Sequence, residues 1–227
     1  MWGSWSPYVT RPPTTLPDVR TRGLVALAVT PWLLVGCAGA ASAPKVNPDV
    51  AASAPVPGVT LPPDSLVDLV LRPDEVPAGM VPLLNGSGPR TLSVVAGYSG
   101  SGATETTAEA KLTAHGFVKA YVAQYANQGT GQVLSILASQ FGTSAGAKAD
   151  FADDLLGATG KNVVAPTLGE QSAVTLQSIQ GSVASELVLV RFRRGTTTWS
   201  LAYKAGPTAD AQVAIDLAKR LLARTST

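Results

Sequence analysis

Cysteine and histidine are nearly absent from this chain, with one of each in 227 residues. A single Cys cannot close an intrachain disulfide, and one Cys with one His cannot supply the four ligands of a structural zinc site. Charge is scarce too. Only 14% of the residues are Asp, Glu, Lys or Arg. The formal net charge of +2 is too small to point to nucleic acid. No Gly-Lys-Ser/Thr occurs anywhere, so no phosphate loop is present. What is plentiful is apolar residue, at 45%, which excludes wholesale disorder. The length fits one domain of roughly 100–200 residues with sequence left over.

Position is more informative than total. Residues 1–36 hold Arg11, Arg20 and Arg22 against Asp18, so the entire excess of +2 lies there. The remaining chain balances 14 basic residues against 14 acidic ones. The excess precedes a single apolar run, Gly23 to Gly36, of 14 residues. As a helix this run reaches about 21 Å, short of a hydrocarbon core of about 30 Å. Pro31 also disfavours a permanent helix. A basic start, a short apolar core and small residues at its end describe a signal peptide rather than a membrane span.

The run ends Leu34-Val35-Gly36-Cys37-Ala38-Gly39. This resembles the lipobox of bacterial lipoproteins: an apolar residue, a tolerant position, a small residue, then Cys. The resemblance implies that the Cys37 thiol takes a diacylglycerol group, and that cleavage before Cys37 makes it the mature N-terminus. Low Lys with abundant Ala, Gly, Thr and Val is similar to lipoproteins of high-GC Gram-positive bacteria such as actinobacteria. The resemblance implies a cell-membrane location on the extracytoplasmic face, with the membrane as partner through the lipid on Cys37. Residues 1–18, with four Pro and two Trp, depart from an ordinary n-region. Val19-Arg20-Thr21-Arg22 followed by the apolar run is well proportioned alone, so translation is expected to start at Val19.

Residues 37–63 carry that Cys and then a stretch rich in Ala, Pro and Ser with two charges and no periodicity. Such a sequence cannot bury a core and reads as a disordered tether. Its 26 residues after Cys37 span up to about 80 Å when extended.

Periodicity begins at Asp64, and residues 64–227 read as one globular domain. The pattern predicts a short capped helix over 64–71 that Pro73 ends, a turn over 74–79, a strand over 92–98 and a flexible loop over 99–104. A helix over 105–115 stops at Gly116. Residues 117–126 alternate, with Phe117, Lys119, Tyr121, Ala123 and Tyr125 on one face and Val118, Ala120, Val122, Gln124 and Ala126 on the other. They form a hairpin with 133–141. A helix runs from Thr143 or Ser144 to about Leu156. Strands follow at 172–179, 186–192 and 197–205, and a last helix starts after Pro207 with Thr208 as cap. The expected class is α+β, an antiparallel sheet of about five strands with helices packed on one face.

No metal site and no cofactor is expected, and no catalytic constellation emerges. His115, at a helix end, lacks a nucleophile and an orienting acid in its neighbourhood. Gly97-Tyr-Ser-Gly-Ser101 misses the nucleophile elbow at its fifth residue. Asp150, Asp153 and Asp154 read as a solvated helix face without the calcium-loop pattern. Candidate binding residues are the basic hairpin Arg191, Arg193 and Arg194, and the aromatics Tyr121, Tyr125, Trp199 and Tyr203. The first set suits an anionic headgroup or acidic partner. The second lines an apolar pocket, an interface or ordinary core. The function these readings favour is a non-enzymatic binding or assembly module meeting an envelope protein. The alternatives are a carrier of an apolar ligand or lipid, and an envelope hydrolase using His115 with Ser99 or Ser101.

Overall fold

The computed structural model describes residues 60–98, 104–156, 159–181 and 183–225. The expected signal peptide, Leu34, Val35, Gly36, Cys37 and nearly all of the expected tether lie outside them. So do Ser99 and Ser101.

Two long hairpin-connected strands before a central helix and three after it generate the sheet. The strands are β1 (Val81–Pro82), β2 (Gly88–Arg90), β3 (Phe117–Asn127), β4 (Gln132–Phe141), β5 (Lys161–Asn162), β6 (Gln171–Ile179), β7 (Ser185–Arg194) and β8 (Thr197–Ala205). They form one antiparallel sheet in the order β1-β3-β4-β8-β7-β6-β5, with β2 also pairing β3. Four α-helices are present among the described residues: α1 (Leu92–Ala96), α2 (Glu105–Ala114), α3 (Ser144–Leu156) and α4 (Ala211–Arg224).

The α+β class and the five long strands agree with the sequence. Four points differ, the last of them the covering of the second face. The sheet has eight strands, because β1, β2 and β5 are two or three residues long and too short to show alternation. Residues 92–96 are helical. Val94 and Val95 favour a strand by propensity, but Val95 and Ala96 are buried against Ala108 and Leu112 of α2, and that packing decides the conformation. The cap of α4 is Asp210, whose carboxylate accepts from Gln212 N at 2.8 Å, rather than Thr208.

Helices also lie on both faces. On the first face, Tyr121, Tyr125, Leu134, Ile136, Val188, Val190, Trp199 and Leu201 pack against Ile215, Leu217, Ala218 and Leu221 of α4 and against Leu61–Met80. The second face carries the smaller cluster of Ala120, Phe141, Ala147, Val95 and Leu112, from α1, α2 and α3. The reason is the alternation of β7 and β8. Phe192 and Trp199 point to α4, while their neighbours Arg191 and Thr198 meet Asp154 and Asp150 of α3.

Candidate functional site

The aromatics of the first face are occupied by the chain itself. Tyr121 Oη donates to the carbonyl of Pro62 at 2.7 Å, and Trp199 Nε1 donates to that of Leu69 at 2.8 Å. Tyr125 Oη donates to the carbonyl of Leu71. Trp199 stacks on Phe192 with ring centroids 5.0 Å apart. Tyr203 is buried in the same cluster. Burial pushes the phenols of Tyr121, Tyr125 and Tyr203 above their ordinary range. The three polar tips therefore hold residues 62–71 against the sheet, and of the pocket, interface and core readings of these aromatics the structure shows core.

Arg224, at the end of α4, fixes this segment from the other side. It pairs with Glu75 and donates to the carbonyls of Asp68 and Val70. Arg220 adds a bond to the carbonyl of Glu75 at 3.0 Å.

The basic hairpin is also largely spent. Arg191 pairs with Asp154 at 3.1 Å. Arg193 is 7% exposed and engages Glu170 at 2.6 Å and Gln171 at 2.5 Å. Gly195 N donates to the other oxygen of Glu170 at 2.8 Å. That bond, with Arg193 beside it, holds the Glu170 carboxyl below the usual range. Gly169 makes the approach feasible. Its φ is +62°, and a Cβ there would stand 2.4 Å from the Arg193 carbonyl. Of the three arginines only Arg194 is exposed. The expected cationic cluster is thus two internal ion pairs and one surface residue.

The acidic turn of α3 is a solvated face only in part: Asp154 is exposed, whereas Asp150 is half-buried. Asp150 accepts from Thr198 Oγ1 at 3.2 Å, on the sheet side. Burial, and then the nearby Asp154, push its carboxyl up to about 7. Asp153 points the other way, to Lys111 at 3.2 Å. His115 closes α2, and its Nε2 stands 3.9 Å from Asp153 Oδ2, beyond hydrogen-bond reach. Its Nδ1 is buried with no hydrogen-bond partner among the described residues. No serine is placed on the imidazole by any contact of the described residues. No group of three or more metal-ligating side chains occurs among them either.

The sequence reading did not single out the second face beyond α3. Cross-strand register places one row there across five strands: Gln124, Ser135, Ala202, Leu189 and Thr175. The next row is Ala126, Val133, Lys204, Leu187 and Gln177. All ten are buried or half-buried. None belongs to either hydrophobic cluster. The Ser135 and Thr175 side chains are buried, and their hydroxyls have no hydrogen-bond partner among the described residues. The alternation of 117–126, which puts Gln124 and Ala126 on the face opposite Tyr125, was the available signal.

Among the described residues no helix is long and apolar enough to cross a membrane. No family model matches the chain, and no curated protein matches it. One solved structure is similar: the extracellular domain of PknH from Mycobacterium tuberculosis. Identity is 14% and the TM-score 0.49, over 69% of this chain and 92% of that one.

Proposed function

We propose that the chain is a lipid-anchored extracytoplasmic protein whose domain works as a non-enzymatic binding or assembly module. The observation that carries the anchor is Leu34-Val35-Gly36-Cys37 at the end of a short apolar run, holding the sole Cys of the chain. The nucleophilic thiol is the group that such an attachment requires. Net neutrality after residue 36 argues against long-range steering to nucleic acid. The domain offers sheet surface instead. With residues 62–71 closed over the aromatic face, the half-buried rows around Leu189 and Lys204 are the sheet surface left for a partner among the described residues.

Intact mass of the membrane-extracted protein tests the anchor. The expected N-terminal residue is Cys37 with a diacylglyceryl adduct. Cys37→Ser should leave an unprocessed chain without the adduct. A mature protein beginning elsewhere, or a wild-type Cys37 without lipid, overturns the anchor.

A further inference from the structure

The edge of the sheet that carries β1 and β2 is free of charge over a long stretch. No Asp, Glu, Lys or Arg occurs from Val76 to Pro89, nor from Ala120 to Ala147. The two segments lie side by side. Val81 and Pro82 pair with Ala126 and Tyr125 of β3, and Leu83 N donates to the carbonyl of Gln124 at 2.8 Å. Out of this edge stand Val81, Leu83 and Leu84, with exposures of 37%, 36% and 45%. Leu83 and Leu84 are the only exposed leucines among the residues whose side chains are described. Single exposed apolar residues are ordinary, but three within four positions on an uncharged surface mark a contact site.

The turn is built to hold those side chains outward. Ser87 Oγ donates to the carbonyl of Leu83 and accepts from Gln124 N, each at 2.9 Å. The Arg90 guanidinium donates to the carbonyls of Gly86, Gly88 and Pro89. The adjoining hairpin is internally paired as well. The Asn127 side chain accepts from Gly129 N and Thr130 N, and its carbonyl from Gly131 N. A surface with paired backbone groups and no charge to desolvate can enter an apolar phase at low cost.

The path of the chain identifies that phase. Gly88 pairs with Val122, and a Cβ on Gly88 would stand 3.8 Å from Pro62. The chain therefore enters the fold from the lipid side at this same edge. Resting on the lipid-anchor reading, we infer that this edge is a second membrane contact, with Leu83 and Leu84 entering the surface of the bilayer that holds the lipid on Cys37. The leucines supply an orientation rather than an anchor. With the chain already held at the membrane, the contact is intramolecular and needs little affinity of its own. It sets β1 and β2 toward the bilayer and β5, at the opposite end of the strand order, away from it.

The test uses Leu84→Cys carrying a polarity-sensitive fluorophore, in the lipidated protein reconstituted into vesicles of equal parts phosphatidylcholine and phosphatidylglycerol. Val164→Cys is the control, since Val164 is fully exposed and follows β5 at the opposite edge. Blue-shifted emission is expected at position 84, with quenching by nitroxide-labelled lipid several-fold greater than at position 164. Strong salt should leave both unchanged, because no charge takes part. Leu83→Asp added to Leu84→Cys should return the emission to that of water. A thermal melt checks folding; if that variant does not fold, the comparison of positions 84 and 164 carries the result. Equal, water-like emission at the two positions overturns the inference. So does a shift that folded Leu83→Asp leaves intact. So does a shift in native membranes that is missing in pure lipid vesicles, which would assign the edge to a protein partner. The wild-type chain takes up the fluorophore only if Cys37 is free, so failure of the anchor shows separately. In that event Leu84→Cys combined with Cys37→Ser reads the contact with the same vesicles, and the same shift is expected.

Discussion

Replacing Asp150 with Asn should make the protein more stable at alkaline pH and leave it little changed near pH 4. The Asp150 carboxyl sits between α3 and the sheet, with Asp154 one turn further along α3, and its pKa stands at about 7 rather than 3.8. A carboxyl with a raised native pKa keeps its proton when the unfolded chain has already released it. Native protein then binds more protons than unfolded protein, and stability falls as pH rises between those two values. The stabilisation is complete below about pH 4, is lost progressively toward about pH 7, and stays lost above. Three units at about 1.4 kcal/mol each give about 4 kcal/mol; the carboxylate is only part-buried, so solvent screening brings this to roughly 2–4 kcal/mol. Asn matches the shape, can keep the Thr198 contact and carries no charge at any pH. Urea unfolding of both proteins from about pH 4 to pH 8 reads the effect. The difference between them isolates Asp150 from Asp153, Asp154, Lys111, His115 and Arg191, which both proteins share. Asn should gain over wild type along a slope that levels near pH 7. A difference that does not vary with pH, or a loss of stability in Asn at pH 8, would refute the reasoning.

Other substitutions test the remaining contacts. Tyr125→Phe leaves the carbonyl of fully buried Leu71 without its donor, so a loss of about 1–3 kcal/mol is expected in urea unfolding. Arg224→Met strands the carbonyls of Asp68 and Val70 together with Glu75, and should lose about 3 kcal/mol, with faster hydrogen exchange over residues 66–76. Gly169→Ala should be worse than Gly131→Ala. Both glycines have positive φ and incur about 1–2 kcal/mol of strain, but Gly131 has nothing within 4 Å of its Cβ position. Equal melting temperatures for the two variants would remove the role given to Gly169.

The long elements were legible because each shows its period to its neighbours. β3 alternates from Lys119 to Asn127, and α4 repeats apolar residues at Ala211, Ile215, Ala218 and Leu222, so type and face follow from spacing; a register shift between Phe117 and Lys119 breaks the pattern and packs Phe117 with the second cluster rather than with Tyr121. Tyr121 and Tyr125 were correctly placed on one face for the same reason. What covers them was not legible. Their acceptors, Pro62 and Leu71, lie 59 and 54 residues away, and no local pattern encodes such a pairing. Pro62 and buried Leu61 also precede Asp64, where periodicity begins, so the contact extends into what reads as tether. The basic hairpin misled for a related reason. Arg191 and Arg193 do share a face, but their partners Asp154 and Glu170 come from the far end of α3 and from the approach to β6.

The difference between the two faces follows from chain order and from polarity. The first face takes the bulky alternating set, Tyr121, Tyr125, Phe192, Trp199 and Tyr203. Aromatic rings with polar tips need both apolar cover and acceptors. A strap whose backbone runs over them provides both, since its carbonyls would otherwise be buried unsatisfied. The second face takes Ser135, Ser139, Thr175, Thr198 and Ala202, which are small side chains. Near α3 the polar groups have partners: Asp154 pairs with Arg191, and Asp150 accepts from Thr198. Beyond Arg191 that pairing stops. Among the described residues Lys204 and the buried hydroxyls of Ser135 and Thr175 have no hydrogen-bond partner. The fold therefore loses little if Lys204 becomes a neutral side chain or Ser135 becomes Ala, because neither change breaks a hydrogen bond and the second removes a buried polar group.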